Sequence, residues 1–152
     1  MQHISLSDFA DKLNTIMPLI MKEFAKRLTG ELYKGNITLP QFFIMESLHR
    51  EGSSKMTDLA RCMNVTTAAM TGMVDRLVRE GYAVRSHDTG DRRIINVTLT
   101  PEGDTLVKRI GECRRQMAIK VFGKMSEEDR NNYLRIITQM KDILTGEPPV
   151  TK

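Results

Sequence analysis

Residues 57–81 read TDLARCMNVTTAAMTGMVDRLVREG, and this stretch decides the fold. Its apolar spacing predicts a short helix from Thr57 to about Met63, and Asn64 is a residue type that accepts the left-handed backbone of a turn. Thr66 is suited to cap a second helix, which should end at Gly81. Two short helices joined by a tight turn predict a helix-turn-helix.

The next residues, 82–101, read YAVRSHDTGDRRIINVTLTP, and the apolar period changes from helical to alternating. Alternation over 82–87 and 95–99 predicts two strands, and the Asp-Thr-Gly-Asp segment at 88–91 is typical of a turn. A β-hairpin that directly follows a helix-turn-helix predicts a winged helix.

Apolar stripes at helical spacing flank this region over 6–32, 104–122 and 133–144. We expect Pro18 to kink the first of these helices or to mark a restart, because proline removes a backbone donor. Thr38 and Gln41 form a capping box for a helix that should stop at Gly52. The predicted fold class is mostly α with a small β-hairpin wing (α+β): a winged helix-turn-helix lobe plus a long-helix dimerisation region.

Composition excludes several classes of protein. The 152 residues are 40% hydrophobic and 28% charged, as in ordinary globular chains, and a net charge of +4 is only weak evidence for an acidic partner. No apolar run approaches the roughly 18 residues of a membrane span, and the first residues lack the pattern of a signal peptide. We therefore expect a soluble cytoplasmic protein that does not associate with a membrane.

Motifs of catalysis are missing from the sequence. The three histidines are scattered, and neither a nucleophile elbow nor a glycine-rich nucleotide-binding loop is present. Two cysteines do not make a zinc signature. We expect no enzyme activity, no metal site and no cofactor.

The second helix of the helix-turn-helix has a polar arc opposite its apolar stripe, which carries Ala68, Thr71, Gly72 and Arg76. A glycine in mid-helix costs about 1 kcal/mol relative to alanine, and close approach of this face to DNA would account for it. Threonine hydroxyls and the helix N-terminus at Thr66 suit phosphates, and arginine suits guanine or phosphate. The alternative is an exposed polar face on which Gly72 is merely tolerated.

The tip of the predicted wing carries Asp91, Arg92 and Arg93. Arginine at a hairpin tip can reach the minor groove of DNA. An aspartate beside it would repel phosphate, so we infer that Asp91 orients an arginine instead of facing the DNA. The alternative is a solvated turn whose surface ion pair contributes at most ~1 kcal/mol.

Two segments resemble the multiple antibiotic resistance regulator (MarR) family. Residues 91–103, DRRIINVTLTPEG, match the wing signature D-x-R-x-x-x-x-x-L-T-x-x-G at Asp91, Arg93, Leu99, Thr100 and Gly103. Residues 74–85, VDRLVREGYAVR, resemble the end of the family's recognition helix, V-D-R-L-E-x-K-G-L-V-x-R. The order of elements fits the family over residues 5–145.

The resemblance implies an obligate homodimer that binds double-stranded DNA, usually as a repressor, and that a small aromatic or anionic effector releases from its site. Residues 1–36 and 101–145 would form the helical dimerisation region, 37–100 the winged helix-turn-helix DNA-binding lobe, and 146–152 a disordered tail. The long apolar stripes agree, because a small lobe cannot cover them and a partner chain can. A dimer would read a pseudo-palindromic promoter site with half-sites ~10 bp apart.

Together, the arc, the wing and the matched motifs give one set of predicted DNA-binding residues: Thr66, Thr67, Ala68, Thr71, Gly72, Arg76, Arg85, Asp91, Arg92 and Arg93. Loose candidates for an effector pocket are Met17, Phe42, Met45, His49 and Met117. The alternative for the pocket set is that the methionines fill the core and that His49 is an ordinary residue at a helix end.

Two further alternatives remain open. We expect Cys62 and Cys113 to be buried and inert, but a redox-switched regulator that uses either of them is possible, since Arg61 lies beside Cys62 and a neighbouring cation favours the thiolate. The other alternative is a winged-helix module that binds proteins and does not touch DNA.

Overall fold

The computed structural model describes residues 4–146. The remaining part of the predicted tail, 147–152, lies outside the described residues. The elements are α1 (Leu6–Lys34), α2 (Leu39–Glu51), β1 (Ser53–Lys55), α3 (Met56–Cys62), α4 (Thr67–Arg79), β2 (Ala83–His87), β3 (Ile95–Leu99), α5 (Pro101–Phe122) and α6 (Glu127–Thr145). The chain divides into two compact units at a boundary within α5, one up to Glu112 and one from Cys113.

The helix ends that local signals predicted are confirmed. Thr38 and Gln41 form the capping box of α2, and the Thr66 side chain accepts from the backbone N–H of Ala69 at the start of α4. Asn64 has a φ of 51° in the turn between α3 and α4. These ends fix the helix-turn-helix in the register that the sequence predicts.

The small sheet has three strands, in the order β1-β3-β2, and not the two that the sequence predicts. The additional strand β1 pairs antiparallel with the outer edge of β3, with Ser54 opposite Val97. The hairpin of β2 and β3 is confirmed, with Arg85 opposite Val97 on the other side. Strand β1 therefore attaches the wing to the rest of the lobe along the edge of β3 that does not pair with β2.

Pro18 does not mark a restart, and the inward face of α4 is narrower than expected. The helix α1 continues from Leu6 to Lys34 without a break at Pro18, because one missing donor does not end a helix of 29 residues. Val78, expected on the inward stripe of α4, is 37% exposed. The inward face of α4 consists of Met70, Val74 and Leu77, which are fully buried.

The core of the first unit joins α2, α3, α4, the sheet and the first turns of α5. Its buried members are Leu32, Ile37, Phe42, Ile44, Met45, Leu48, Met56, Leu59, Ala60, Met70, Val74, Leu77, Ala83, Val97, Leu106, Val107 and Ile110. Because this core buries Met70, Val74 and Leu77 on one face of α4, the opposite face of α4 points outward.

The start of α5 is pressed against the start of the wing. The Thr100 N–H donates to the Tyr82 carbonyl at 3.0 Å, and its hydroxyl donates to the Gly81 carbonyl at 2.6 Å. A Cβ on Gly103 would lie 2.1 Å from the Tyr82 carbonyl oxygen. The threonine and glycine of the wing motif therefore set the distance between α5 and the wing.

Candidate nucleic-acid interface

The outer face of α4 presents a polar, sterically open surface. Thr66, Thr67, Ala68, Thr71 and Gly72 are all exposed. A Cβ on Gly72 would meet no heavy atom within 4 Å, so nothing within the described chain requires glycine there. The face of α4 at Gly72 is therefore open to close approach by another molecule.

Arg76 lies at the edge of that face and is half-buried. Its guanidinium Nη2 is 3.5 Å from the side-chain oxygen of Asn36, which adopts a φ of 51° in the turn between α1 and α2. This long hydrogen bond turns Arg76 toward the first helices. Arg76 is therefore less free than the sequence suggests.

Arg85 ties the wing to α4. From β2 it forms an ion pair with Asp75 and donates from Nη2 to the Thr71 carbonyl at 3.2 Å. Its buried Nε has no hydrogen-bond partner among the described residues. Sequence reasoning placed Arg85 in the DNA-binding set but missed this tie, which depends on a contact between separate elements.

The two arginines at the wing tip carry positive charges that no other described residue pairs with. Arg92 and Arg93 are exposed, and within residues 4–146 neither guanidinium has a hydrogen-bond or ion-pair partner. Asp91 Oδ1 accepts the Arg93 backbone N–H at 3.0 Å. The Asp91 side chain thus positions Arg93 by binding its backbone N–H, and it does not contact the guanidinium.

Asp88 begins the turn that the sequence predicts at 88–91, but the sequence analysis assigned no role to its side chain. Its Oδ1 accepts the backbone N–H of Gly90 at 2.9 Å and of Asp91 at 3.3 Å, while its Oδ2 accepts from Asn96 Nδ2 at 3.3 Å. These bonds hold the pKa of Asp88 below its ordinary value, and the bond from the Gly90 N–H has the largest effect. Aspartate side chains commonly accept the backbone N–H two residues on in such turns, and this is the signal that could have assigned the role.

A groove of about 430 Å³ brings the elements of the candidate interface together. Cationic side chains reach it from three places: Lys55 before α3, Arg85 on β2 and Arg93 on the wing. Thr67 and Thr71 of α4 line it as well. Lys55, absent from the predicted set, adds a positive charge beside the start of α3.

The five effector-pocket candidates lie in different environments. Phe42 and Met45 are fully buried in the core of the first unit, whereas Met17 is 38% exposed on α1. Met117 is buried and belongs to the second unit. His49 is exposed, and its Nδ1 is 2.6 Å from Asp104 Oδ1. The core positions of Phe42 and Met45 agree with the alternative that these side chains fill the core.

The hydrogen bond to Lys108 and the bond to His49 hold the pKa of Asp104 below its ordinary value. The bond to His49 connects the end of α2 with the first turn of α5, whereas the bond to Lys108 lies within α5. His49 therefore takes part in a contact between helices.

The expectation of two buried cysteines was wrong for Cys62, which is exposed at the end of α3, while Cys113 is half-buried. Cys62 is exposed because it lies on the outer side of a short helix whose buried side chains are Met56, Leu59 and Ala60. Both thiols are free.

Two further features of the described residues concern membrane-spanning helices and clusters that could bind a metal ion. Between Ile4 and Gly146, no helix has both the length and the apolar content that a bilayer crossing requires. In the same part of the chain, no group of three or more His, Cys, Asp or Glu residues is arranged to hold a metal ion.

Comparison with known proteins identifies the family. The sequence model of the MarR family matches residues 37–95. The HTH-type transcriptional repressor MdtR of Bacillus subtilis (strain 168) is 31% identical over 124 residues, which cover 79% of this chain and 80% of that repressor. The chain belongs to the MarR family.

Solved structures agree with the fold. RV1404 from Mycobacterium tuberculosis is 27% identical, with a TM-score of 0.81, over 93% of this chain and 96% of that one. A MepR-like protein complexed with pseudoligands is 31% identical, with a TM-score of 0.58, over 96% and 99% of the two chains. The winged-helix prediction is confirmed, and this MarR-family chain is a DNA-binding transcription regulator and not an enzyme.

Proposed function

We propose that this MarR-family protein is a homodimeric repressor that binds a pseudo-palindromic promoter site through α4 and the wing. The observation that carries the proposal is the groove where Lys55, Arg85 and Arg93 meet the exposed threonines of α4. Cations and hydroxyls on one surface suit the phosphates of a duplex, and the open face around Gly72 suits the base edges.

The role of each arginine in this surface follows from the hydrogen bonds and ion pairs that its guanidinium forms. Arg92 and Arg93 are free to contact DNA, whereas Arg85 is tied to Asp75 and the Thr71 carbonyl. We assign Arg85 to fixing the angle between α4 and the wing. The functional regions proposed are a DNA-binding lobe over 37–100 and a dimerisation region over 1–36 and 101–145.

The case for a homodimer rests on apolar side chains that the single chain leaves exposed. On α1, Leu6 and Phe9, which are three residues apart and share a face, are 84% and 54% exposed. On α6, Ile143 and Leu144 are 80% and 82% exposed. Faces of this kind on long helices mark protein interfaces, and a second copy of the chain supplies matching faces. Two lobes would then bind half-sites ~10 bp apart.

The test is footprinting of the purified protein on the DNA upstream of its own gene, together with heparin chromatography. A protected, pseudo-palindromic site is expected, with retention on heparin that salt reverses. A protein that neither protects DNA nor binds heparin at low salt would instead be a winged-helix module for protein partners.

We further propose that a small aromatic or anionic effector releases the DNA and that the protein acts in the cytoplasm, where bacterial chromosomal DNA lies. Support comes from the MepR-like relative, which was solved with pseudoligands. Met17, His49 and Met117 remain candidate contacts. Adding aromatic acids to the footprinted complex tests the effector: release supports it, and protection that persists at saturating concentrations contradicts it.

A thiol switch is the second candidate, because Cys62 is exposed and lines a groove of about 480 Å³ with Arg50 and Lys55. Peroxide should then release DNA from the wild type and not from Cys62→Ser. Cys113→Ser is the matched control, since that thiol is half-buried. Peroxide release that survives Cys62→Ser would exclude a role for Cys62.

A further inference from the structure

We propose that Asp88 is a positioning residue for DNA binding: its carboxylate folds the wing tip so that Arg92 and Arg93 project from a fixed backbone. This inference rests on the proposed function, because it assumes that the wing contacts DNA. Asp88 lies outside the two sequence motifs of the family and outside the predicted DNA-binding set.

The carboxylate of Asp88 forms the centre of the turn between β2 and β3. Its Oδ1 accepts two successive backbone N–H groups, from Gly90 and Asp91, and its Oδ2 accepts from Asn96 on β3. The Asp88 N–H donates to the Ile94 carbonyl at 3.0 Å, which closes the loop. One half-buried side chain thus connects both ends of the turn to its tip.

The bonds of Asp91 and His87 continue this arrangement up to the arginines. Asp91 Oδ1 accepts the Arg93 N–H, and the Asp91 carbonyl accepts the Ile94 N–H at 2.9 Å. His87 Nδ1 lies 2.8 Å from the Arg92 carbonyl. Both acidic side chains of the tip are therefore occupied with main-chain donors, while the two guanidinium groups remain free.

If Asp88 acted only through its charge, its removal would change the DNA affinity in the opposite direction from that expected for a positioning role. A carboxylate near phosphates is repulsive, so its removal should strengthen DNA binding if Asp88 acts only through its charge. If Asp88 orders the tip, its removal should weaken binding, because the arginines must then be ordered when DNA binds. The sign of the change distinguishes the two.

The experiment measures the Kd of a fluorescent duplex that carries the footprinted site for wild type, Asp88→Ala and Asp88→Asn. We expect Asp88→Ala to bind roughly threefold to tenfold more weakly, which is the cost of ordering one or two side chains on binding. Asp88→Asn should bind within about twofold of wild type, because its amide oxygen still accepts both N–H groups and the Asn96 amide can turn over to accept from the new NH2. Glu102→Gln removes the same charge from an exposed position on α5 and controls for net charge.

Asp88→Ala that binds as tightly as wild type, or more tightly, would overturn the proposal, and so would Asp88→Asn that binds as weakly as Asp88→Ala. A wild type that binds no duplex at low salt would refute the proposed function instead. In that case ¹⁵N relaxation still tests the turn: residues 89–93 should be rigid in the wild type, with order parameters of about 0.8, and below about 0.6 in Asp88→Ala. Mobile wild-type amides at Gly90 and Asp91 would overturn the positioning role directly.

Discussion

Arg93 and Arg85 line the same groove between α4 and the wing, but their charges are used differently. The Arg85 guanidinium is held by Asp75 and the Thr71 carbonyl, whereas the Arg93 guanidinium has no partner within the described chain. Only a free guanidinium can form new bonds to phosphate without first breaking old ones. At the residue scale, the interface therefore combines fixed cations that shape it with free cations that contact the ligand.

Gly72 is the residue at which stability and binding should respond in opposite directions. Gly72→Ala should stabilise the free protein by up to about 1 kcal/mol, because alanine is the better helix former and its Cβ meets nothing within 4 Å. The same Cβ should weaken DNA binding by roughly tenfold if this face of α4 approaches the duplex closely, which corresponds to about 1.4 kcal/mol. Thermal denaturation and anisotropy titration measure the two effects.

Gly30→Ala is the matched control for that substitution, since its Cβ on α1 also meets nothing within 4 Å. It should gain stability and leave the Kd for DNA unchanged. If Gly72→Ala binds DNA as tightly as wild type, the open face of α4 does not contact the duplex closely.

At the scale of elements, what the sequence predicted depended on how local each signal is. The capping box at Thr38 and Gln41 and the cap at Thr66 lie within a few residues of the helices they start, so they were readable. The strand β1 has only three residues and forms by pairing with β3, a distant partner that no local pattern reveals. The tie from Arg85 to Asp75 was missed for the same reason, since it joins two elements.

Because α5 lies so close to the wing, one added methyl group at the contact should lower the stability of the protein strongly. Gly103→Ala should destabilise the protein by about 1–3 kcal/mol, because its Cβ would overlap the Tyr82 carbonyl and neither backbone can move cheaply. Urea denaturation measures the change. Gly111→Ala in the same helix meets nothing within 4 Å and should be neutral or stabilising. Equal stability of the two variants would contradict the proposed close contact.

The link between α2 and α5 predicts a dependence of stability on pH. The pKa of Asp104 is lowered in the folded state by Lys108 and His49, so the stabilisation from its carboxylate is present above the ordinary aspartate pKa of about 3.9 and is lost as pH falls through the lower, folded-state value. Asp104→Asn should therefore be less stable than wild type at pH 7, and the difference should vanish in acid. A difference that persists unchanged into acid would contradict this origin.

At the scale of the whole molecule, the exposed apolar faces of α1 and α6 predict a dimer that one charge disrupts. Ile143→Glu, at a position 80% exposed in the single chain, should leave the fold intact and convert a dimer into a monomer of 17.3 kDa in sedimentation velocity. Its DNA affinity should fall by roughly a hundredfold or more, because two linked half-site contacts become one.

Thr138→Glu adds the same charge to an exposed position on the side of α6 opposite this apolar stripe and should remain dimeric. Ile143→Glu that stays dimeric would exclude this face of α6 from the interface. A wild type that sediments as a monomer would contradict the homodimer itself.

The central claim is that α4 and the wing bind a duplex together, and the salt dependence of the Kd for wild type and Arg93→Ala tests it most directly. The wild-type affinity should fall steeply with salt, and Arg93→Ala should bind about 1–3 kcal/mol more weakly, with a salt slope smaller by about one unit for each subunit. Lys12→Ala, which removes an exposed cation on α1, should change neither. A Kd that does not depend on salt, or an Arg93→Ala variant with the wild-type Kd and slope, would contradict the account.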